Sequence, residues 1–437
     1  MSVSSPPSSA RATAVRPRPA RVAVASLVGT TIEYYDFSVY AMAASLALGP
    51  LFFPSENATA SMLAAFATFA VAFVARPLGS ALFSTIGDRV GRRRSLLICL
   101  LLMGCSTVAI GLLPTFDTAG VAAPVLLIVC RVLQGLAVGG EWGGAVLLAT
   151  EHAPAHRRAI FGSFPQIGPP LGFVLAAVVF TATSTLSGPD GFLTWGWRVP
   201  FLLSVAMVGV GLWVRVRVTE SPAFEEAATK QELDRAPMIA VFREFPLRIL
   251  MATLVALGGL TTWFLITTFS VSYGAETLHI APRTMVLIAC AAAATHGILI
   301  IPAALVVERF GRKMPMIAGS AGVTLLVIPA FSLLETADPV LIALGFCLTM
   351  VPFTLVLGPI GTWLAELFPT RVRYAGASTG FMLASLFAGL APLVATSLVS
   401  GGRSPLLLGL YACGIALIGT IALLFSPETK TRSLLDD

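Results

Sequence analysis

Two acidic side chains lie in the middle of a long apolar stretch near the start of the chain. Glu33 and Asp36 belong to the run Glu33-Tyr34-Tyr35-Asp36-Phe37, and a spacing of three residues places both on one face of a helix. If this helix starts near residue 22, Glu33 lies about 16 Å into the bilayer, close to its middle. Because an acid at that depth costs at least about 2.5 kcal/mol, we favour proton uptake and release at Glu33 or Asp36 over a structural pair with arginines.

Two arginines also lie inside apolar segments. Arg76 falls in the second such segment of the chain and Arg131 in the fourth. Each could pair with an intramembrane acid or bind the carboxylate of an anionic substrate, and the sequence leaves both roles open. Polar and aromatic side chains in the apolar segments complete the candidate substrate site, namely Tyr34, Tyr40, Gln134, Glu141, His296, Trp263 and Trp363.

Several of these candidates have an ordinary structural interpretation as well. A lone histidine such as His296 is more often a hydrogen-bonded structural group than a proton relay. Trp263 and Trp363 could line a cavity or simply pack. Glu141 could form a gating ion pair or contact the substrate. Glycines that recur every four residues in the same segment predict a stripe for close helix packing, at Gly135, Gly139 and Gly143.

Two charged motifs each occur twice in the chain, in the same order and at nearly the same spacing. Such repetition indicates that a membrane unit has been duplicated. At helix ends, an acid and an arginine can pair across the mouth of the protein only when that mouth is shut. Orientation by positive charge alone would explain the arginines but not the repeated acids. The predicted cytoplasmic gate consists of Asp88, Arg89 and Arg92, repeated as Glu308, Arg309 and Arg312, and of Glu151 and Arg158, repeated as Glu366 and Arg373.

The elements that position these residues are predicted to be membrane-spanning helices. Hydrophobic residues make up 56% of the 437-residue chain and charged residues 11%, whereas soluble domains carry about 25% charged residues. Each apolar segment is long enough to cross a hydrocarbon core of about 30 Å as a helix. The predicted helices cover residues 22–50, 58–86, 95–114, 121–150, 159–186, 198–218, 247–274, 283–307, 314–334, 339–366, 375–400 and 404–426.

The predicted fold class is therefore all-α integral membrane, with twelve transmembrane helices in two pseudo-symmetric six-helix bundles. We expect the bundles at residues 21–218 and 247–426, joined by a cytoplasmic connector at 219–246. Residues 1–20 are predicted to form a disordered cytoplasmic tail because they contain no apolar run. Residues 427–437 form a second cytoplasmic tail.

Arginine and lysine determine the predicted orientation. They cluster before the first helix, after the second and eighth, in the connector and near the C-terminus, whereas the opposite loops are nearly free of them. By the positive-inside rule both termini face the cytoplasm, and the chain is a multi-pass protein of the cytoplasmic membrane. Topology thus explains the net charge of +6, and a nucleic-acid partner has no support.

Several short motifs carry a family resemblance: residues 33–37 with Tyr40, Arg76-Pro77-Leu78-Gly79, Arg131-Val132-Leu133-Gln134-Gly135 and Gly139-Gly140-Glu141-Trp142-Gly143-Gly144. With the six plus six helices and the repeated Asp-Arg-x-Gly-Arg-Arg loop, they resemble the metabolite:proton symporter family of the major facilitator superfamily. That family includes carriers for shikimate, 2-oxoglutarate, citrate and proline or betaine. The resemblance implies a secondary active transporter that moves a small organic acid, shikimate-like or dicarboxylate-like, together with protons by alternating access.

Two other transport functions stay open at this point. The run Gly168-Pro169-Pro170-Leu171-Gly172 partly resembles a helix-five pattern of antiporters, so a proton-coupled drug exporter is one alternative. A proton symporter of an osmolyte such as proline or betaine is the other, because such carriers belong to the same family.

Catalysis has little support in the sequence. Residues 376–380 match a nucleophile-elbow string, but that motif requires a strand-to-helix turn and a histidine partner, whereas here it begins a predicted membrane helix. The chain also contains no G-x-x-x-x-G-K-[ST] loop for ATP. We therefore expect no enzyme activity, cofactor, metal or ATP. The predicted partners are a small-molecule substrate, protons and the lipid bilayer, and the predicted state is a monomer.

Overall fold

The computed structural model describes residues 19–90, 92–216, 237–369 and 372–430, and every regular element within these ranges is a helix. Helices are expected because the hydrocarbon core holds no water that could bond to main-chain N–H and C=O groups, so each segment must satisfy them internally. The short helices and turns between the long ones are Leu48–Phe52, Phe116–Ala119, Ala155–Arg157, Gly196–Arg198, Pro237–Glu244 and Leu333–Thr336.

Twelve long helices, some of them broken, follow one another along the described residues. The first six are α1 (Pro19–Leu46), α2 (Ala58–Val90), α3 (Arg92–Leu112), α4 (Ala122–Gly139 and Trp142–Glu151), α5 (Arg158–Thr194) and α6 (Val199–Leu202 and Ser204–Val216). The second six are α7 (Pro246–Phe264 and Ser270–Glu276, joined by a π-helical turn, Leu265–Phe269), α8 (Pro282–Phe310), α9 (Lys313–Ser332), α10 (Pro339–Leu357 and Ile360–Leu367), α11 (Arg373–Gly389 and Ala391–Val399) and α12 (Leu406–Phe425).

Ten of these helices are long and apolar enough to span a membrane. The remaining two are α1, which contains Glu33 and Asp36, and α3, which is apolar only over Leu97–Leu112. The predicted all-α membrane fold is confirmed. Most helix ends lie within a few residues of the predicted ones, but α5 continues to Thr194, eight residues beyond its predicted end. Residues 1–18 of the first tail, 219–236 of the connector and 431–437 of the second tail lie outside the described ranges, so those parts remain predictions.

Close packing between α2 and α4 positions the two helices that carry the intramembrane arginines. A Cβ atom at Gly135 would lie 2.1 Å from the carbonyl oxygen of Ala72, and one at Gly139 would lie 2.0 Å from that of Arg76. Such distances are too short for any side chain, so only glycine lets the two backbones approach this closely. The glycine stripe therefore packs α4 against α2 with Arg76 beside Gly139, about two helical turns from Arg131 along α4.

The two halves contact each other mainly through α5 with α8 and through α2 with α11. Arginine and lysine distribution places the start of α1 on the cytoplasmic side. Odd-numbered helices then run from the cytoplasm outward and even-numbered helices run inward.

Candidate functional site

An internal cavity lies among the first four helices, near the middle of the membrane. The cavity is small, with room for about one water molecule. A small organic molecule would therefore need the two halves to separate before it could enter. The cavity is lined by Glu33, Asp36, Phe37, Ala72, Arg76, Met103, Arg131, Gln134, Gly135 and Val138.

Asp36 is held on both carboxylate oxygens by hydroxyl groups. Its side chain is 1% exposed, with Thr107 of α3 donating to Oδ2 at 3.1 Å and Ser204 of α6 donating to Oδ1 at 2.5 Å. Hydroxyl donors stabilise the ionised form of a buried carboxylate. The same carboxylate can accept a proton in place of one of these bonds, which a proton carrier requires.

Arg131 is joined to Asp36 through two intervening side chains. Arg131 Nη1 donates to Gln134 Oε1 at 2.8 Å, and Gln134 Nε2 donates to Thr107 Oγ1 at 2.7 Å. Thr107 in turn donates to Asp36. These bonds connect the positive and negative charges of the cavity by a continuous hydrogen-bond path, in place of direct contact.

The other two nitrogens of the Arg131 guanidinium bind backbone carbonyl groups of α2, and its face contacts an aromatic ring of α1. Nε donates to the carbonyl oxygen of Thr68 at 3.3 Å and Nη2 to that of Phe69 at 3.1 Å. The guanidinium carbon lies 3.7 Å from the centre of the Tyr40 ring, a cation–π contact, and the Tyr40 hydroxyl shares a 2.6 Å hydrogen bond with Thr68. Tyr40 therefore packs against the Arg131 guanidinium and lies outside the cavity lining.

Arg76 connects the two halves of the protein. Its Nη1 donates to the Ser385 hydroxyl of α11 at 2.6 Å. Its guanidinium carbon lies 4.1 Å from the Phe73 ring centre and 5.1 Å from that of Phe37. Arg76 thus lines the cavity and also joins α2 to α11.

Four phenylalanine rings pack together beside the cavity, at the interface between the two halves. Phe37, Phe69 and Phe73 come from the first half and Phe264 from α7, and all ring pairs lie with centroids between 5.0 and 5.8 Å. Edge-to-face pairs of this kind add stabilisation beyond their buried area. We call these four rings the phenylalanine seal. Because Phe264 belongs to the other half, the seal must break when the periplasmic mouth opens.

Further contacts shut both mouths. On the periplasmic side, Ser45 Oγ donates to the carbonyl oxygen of Thr268 at 3.2 Å. On the cytoplasmic side, the Trp142 ring stacks on Phe381 with centroids 3.7 Å apart and planes 2° apart. Additional cytoplasmic bonds join Ser163 to Gly358 at 3.0 Å and Tyr374 to Gly140 at 3.2 Å. The conformation is therefore occluded.

The structure places the other predicted substrate residues at different distances from the cavity. Glu33 lines it and is 3% exposed. The Tyr34 ring lies 6.2 Å from Phe37 and outside the lining. Glu141 is buried at the break of α4, directly before Trp142, where it is better placed for gating than for contact with a ligand in this cavity.

The candidates of the second half form a separate group. His296 shares a hydrogen bond of 2.9 Å through Nδ1 with Thr354, and its ring lies 5.8 Å from Trp263. Trp263 also lies 6.0 Å from Phe173 of α5, across the interface between the halves. Trp363 is fully buried, and its Nε1 lacks a hydrogen-bond partner among the described residues. None of these three residues lines the cavity.

Part of the predicted gate forms a buried charge cluster on the cytoplasmic side. Arg312 Nε and Nη2 donate to the two oxygens of Glu366 at 3.0 and 2.9 Å. Arg312 Nη1 lies 3.2 Å from Glu308 Oε1, and Glu308 Oε2 accepts from the backbone N–H of Ala159 at 2.8 Å. Ala159 lies in the first turn of α5, so Glu308 joins the second half to the first.

The remaining gate residues are described in part. Arg373 Nη1 lies 3.9 Å from Glu151 Oε1, and Arg158 lies within electrostatic range of Glu366, so arginines and acids from different halves face each other. The Arg309 guanidinium lies 5.4 Å from the Phe310 ring. The side chains of Asp88, Arg89 and Arg92 lie outside the described part of the structure.

An acid that the sequence analysis did not single out completes this cluster. Glu428, after α12, accepts from the backbone N–H groups of Arg312 at 2.9 Å, Lys313 at 3.0 Å, and Thr429 and Lys430 at 2.9 Å each. Burial alone would raise the pKa of Glu428, but these backbone donors lower it below its ordinary value. Residues 427–430 are thus tied to the α8–α9 turn.

Sequence reasoning also missed Thr107, Ser204, Ser385 and the phenylalanine seal. Hydroxyl residues are common in membrane helices, and most of them bond to their own backbone, so their presence in apolar segments was a weak signal. Only the rotation of each helix about its axis shows which hydroxyl faces Asp36 or Arg76.

Comparison with known proteins is consistent with this architecture. The model of the family "Sugar (and other) transporter" matches residues 22–243 and 230–436. The chain is 42% identical over 421 residues to the inner membrane metabolite transport protein YhjE of Escherichia coli K12, covering 95% of each chain. It is 36% identical over 391 residues to the shikimate transporter of the same organism, covering 88% of each, and 35% identical over 422 residues to its proline/betaine transporter, covering 94% of this chain and 84% of that one.

Solved structures show the same fold. The major facilitator superfamily proton:xylose symporter XylE, with 6-bromo-6-deoxy-D-glucose bound, aligns over 95% of this chain and 98% of that one with a TM-score of 0.76 and 21% identity. An inward-open structure of XylE from E. coli aligns with a TM-score of 0.69 at 20% identity. The protein is thus a multi-pass membrane transporter of metabolites and not an enzyme, and the chain belongs to the sugar and other transporter family, with the major facilitator fold.

Proposed function

We propose that this protein is a proton-coupled symporter of a small organic acid that works by alternating access. The observation that carries the proposal is the buried cavity that Asp36 and Arg131 both line, joined through Gln134 and Thr107. An intramembrane acid can carry the proton, and an arginine can bind the substrate carboxylate. Coupling requires both in one site that opens to one side at a time.

In this mechanism the substrate enters from the periplasm when the phenylalanine seal is open. A proton binds Asp36, and the substrate carboxylate binds Arg131, with Arg76 as a second positive group. The seal then closes over the substrate, the occluded state forms, and the cytoplasmic contacts around Glu308 and Trp142 separate to release substrate and proton. Glu33 shares the cavity and is the alternative proton carrier.

One relative and the charges of the cavity lining suggest two candidate classes of organic acid. One relative is a shikimate transporter at 36% identity, so we propose shikimate or a similar hydroxylated carboxylate as the first candidate substrate. A dicarboxylate such as 2-oxoglutarate is the second. Arg76 and Arg131 supply two positive charges in the lining, enough to bind either anion.

Proteoliposomes loaded with a pH-sensitive dye test this function. Adding shikimate or 2-oxoglutarate to the outside should acidify the interior, and a substrate gradient alone should drive this proton entry. Asp338→Asn provides a matched control, because Asp338 caps the start of α10 and asparagine caps helices equally well. Substrate uptake without interior acidification, unchanged when the pH gradient is collapsed, would contradict proton symport.

A zwitterionic osmolyte is the second candidate substrate. The cavity lining contains two arginines and two acids, a balance that suits a molecule with one positive and one negative group. One relative is a proline/betaine transporter. Binding assays separate the candidates: an osmolyte carrier should bind labelled glycine betaine and not labelled shikimate, and an organic acid carrier should do the reverse.

A further inference from the structure

We propose that Gln134 and Thr107 relay the protonation state of Asp36 to Arg131, so that proton binding releases Arg131 Nη1 for the substrate carboxylate. This inference rests on the proposed function and deepens it, because it assigns coupling to two residues that carry no charge. We call Arg131, Gln134, Thr107 and Asp36 the relay.

Every hydrogen bond of the relay points from the cation toward the anion. Arginine has donors only, so Gln134 must present its carbonyl oxygen to Arg131 and its amide nitrogen to Thr107. Thr107 Oγ1 accepts from that amide and keeps its single proton for another acceptor. The negative charge of Asp36 at the end aligns all three bonds, which polarise one another in a buried site.

The Thr107 hydroxyl can adopt two orientations. Its hydroxyl has two acceptors within reach, Asp36 Oδ2 at 3.1 Å and the carbonyl oxygen of Met103 at 3.0 Å, but only one proton to donate. An ionised carboxylate is the stronger acceptor, so the proton points to Asp36 when Asp36 is charged. Once Asp36 is protonated, the carboxyl is a weaker acceptor, the hydroxyl turns toward Met103, and the new carboxyl O–H competes with Gln134 for Thr107 Oγ1.

Only one nitrogen of Arg131 depends on this switch. Nε and Nη2 donate to the backbone carbonyls of Thr68 and Phe69, which do not change with the protonation of Asp36. Nη1 donates to the Gln134 side chain, which can rotate away when its hold on Thr107 weakens. The structure therefore singles out Nη1 as the donor that is transferred to the substrate.

Other charged groups near Asp36 do not provide this connection. Glu33 on α1 and Arg76 on α2 line the same cavity as Asp36. Their electrostatic potential acts on both the ionised and the protonated form of Asp36. The remaining lining residues from α1 to α4 are uncharged apart from the relay itself. Ser204 of α6 donates to the other oxygen of Asp36 and is not part of the hydrogen-bond path to Arg131. It should therefore change the proton affinity of Asp36 without changing how Arg131 responds to protonation.

Substitution of Thr107 gives the sharpest test, because a matched pair of variants separates the hydroxyl from the volume. Thr107→Val removes the hydroxyl at nearly constant shape, and Thr107→Ser keeps it. Binding of a tritiated organic acid is measured from pH 5.5 to 8.5. Shikimate is the first probe, and the acid used is one that the wild type accumulates. Counterflow exchange is measured in parallel, since it needs binding and alternating access but no net proton movement.

For the wild type and for Thr107→Ser, the dissociation constant should rise about tenfold for each pH unit above the midpoint, as binding linked to one proton requires. For Thr107→Val it should change less than about threefold over the same range, with counterflow retained. Ser204→Ala should move the midpoint upward, because loss of a hydroxyl donor favours the protonated carboxyl, and should keep the tenfold slope.

One result would overturn the relay alone: a Thr107→Val protein whose affinity keeps the wild-type pH slope. A purely structural hydroxyl would produce this result, because its loss would weaken binding by the same factor at every pH. A wild type whose binding is independent of pH would instead overturn proton symport, and the relay with it.

Discussion

The contact between Glu308 and the start of α5 offers a quantitative test of the cytoplasmic gate. Glu308 Oε2 accepts from Ala159 N–H at 2.8 Å, in the first turn of a long helix. Glutamine at position 308 can still accept this hydrogen bond, so Glu308→Gln removes mainly the charge. A negative charge at a helix N-terminus contributes about 0.3–1 kcal/mol at exposed sites and up to about 2 kcal/mol when partly buried.

The magnitude for this protein should lie in the upper part of that range. The Glu308 side chain is 15% exposed, so the solvent screens it little. Glu308 and Arg312 are four residues apart and belong to the same half, so their ion pair persists in both conformations. It therefore contributes nothing to the free-energy difference between the closed and the open cytoplasmic mouth. A loss of about 1–2 kcal/mol from the closed state corresponds to a roughly 5- to 30-fold rise in the population with an open cytoplasmic mouth.

Accessibility of a single cysteine measures this population. Ser163 is fully buried under the closed gate and bonds to Gly358 of the other half. Ser163→Cys, in a background that lacks the six native cysteines, is labelled with an impermeant maleimide from the cytoplasmic side. Adding Glu308→Gln should raise the labelling rate about 5- to 30-fold.

Glu335→Gln is the matched control, because Glu335 lies at the periplasmic end of α9 and binds Ser404 there. It should leave the rate within about twofold of the parent. The gating argument would be refuted if Glu308→Gln changed the labelling rate no more than this control does.

Three further predictions address other parts of the structure. The lowered pKa of Glu428 means that its contribution to stability is present above the unfolded value of about 4.3 and is lost as pH falls through the lower folded value. Glu428→Gln should therefore flatten the fall in Tm between pH 5 and pH 3, measured by scanning fluorimetry; an equal fall in both proteins would contradict this. Tyr40→Phe should keep the cation–π contact with Arg131, whereas Tyr40→Leu should lose about 1–2 kcal/mol of stability in denaturant titrations, and equal losses would argue against the contact. Phe264→Ala should break the phenylalanine seal and raise periplasmic maleimide labelling of Ser45→Cys, and an unchanged rate would show that the seal does not hold the periplasmic mouth shut.

Much of the fold could be predicted because burying charge in a membrane is costly. The long apolar segments required helices, and the same cost singled out Glu33, Asp36, Arg76 and Arg131, which line one cavity together with Gln134. These predictions needed only depth along each helix. Depth follows directly from residue number, since each residue advances the helix by about 1.5 Å.

The contacts among those residues could not be predicted, because they depend on how each helix is rotated and where it bends. The sequence left Arg131 with either an acid or a substrate as partner, whereas the structure interposes Gln134 and Thr107 between it and Asp36. His296 belongs to a cluster in the other half. Glu428 caps a helix turn more than 100 residues earlier in the chain, which no local pattern reveals.

The most direct test of the account compares active accumulation with counterflow in Asp36→Asn. A carrier that has lost its proton site should still exchange substrate across the membrane but should no longer accumulate it against a gradient. We predict wild-type counterflow with loss of accumulation for Asp36→Asn and retained accumulation for the Asp338→Asn control. Undiminished accumulation with Asp36→Asn and Glu33→Gln combined would contradict the central claim that an acid in this cavity carries the proton.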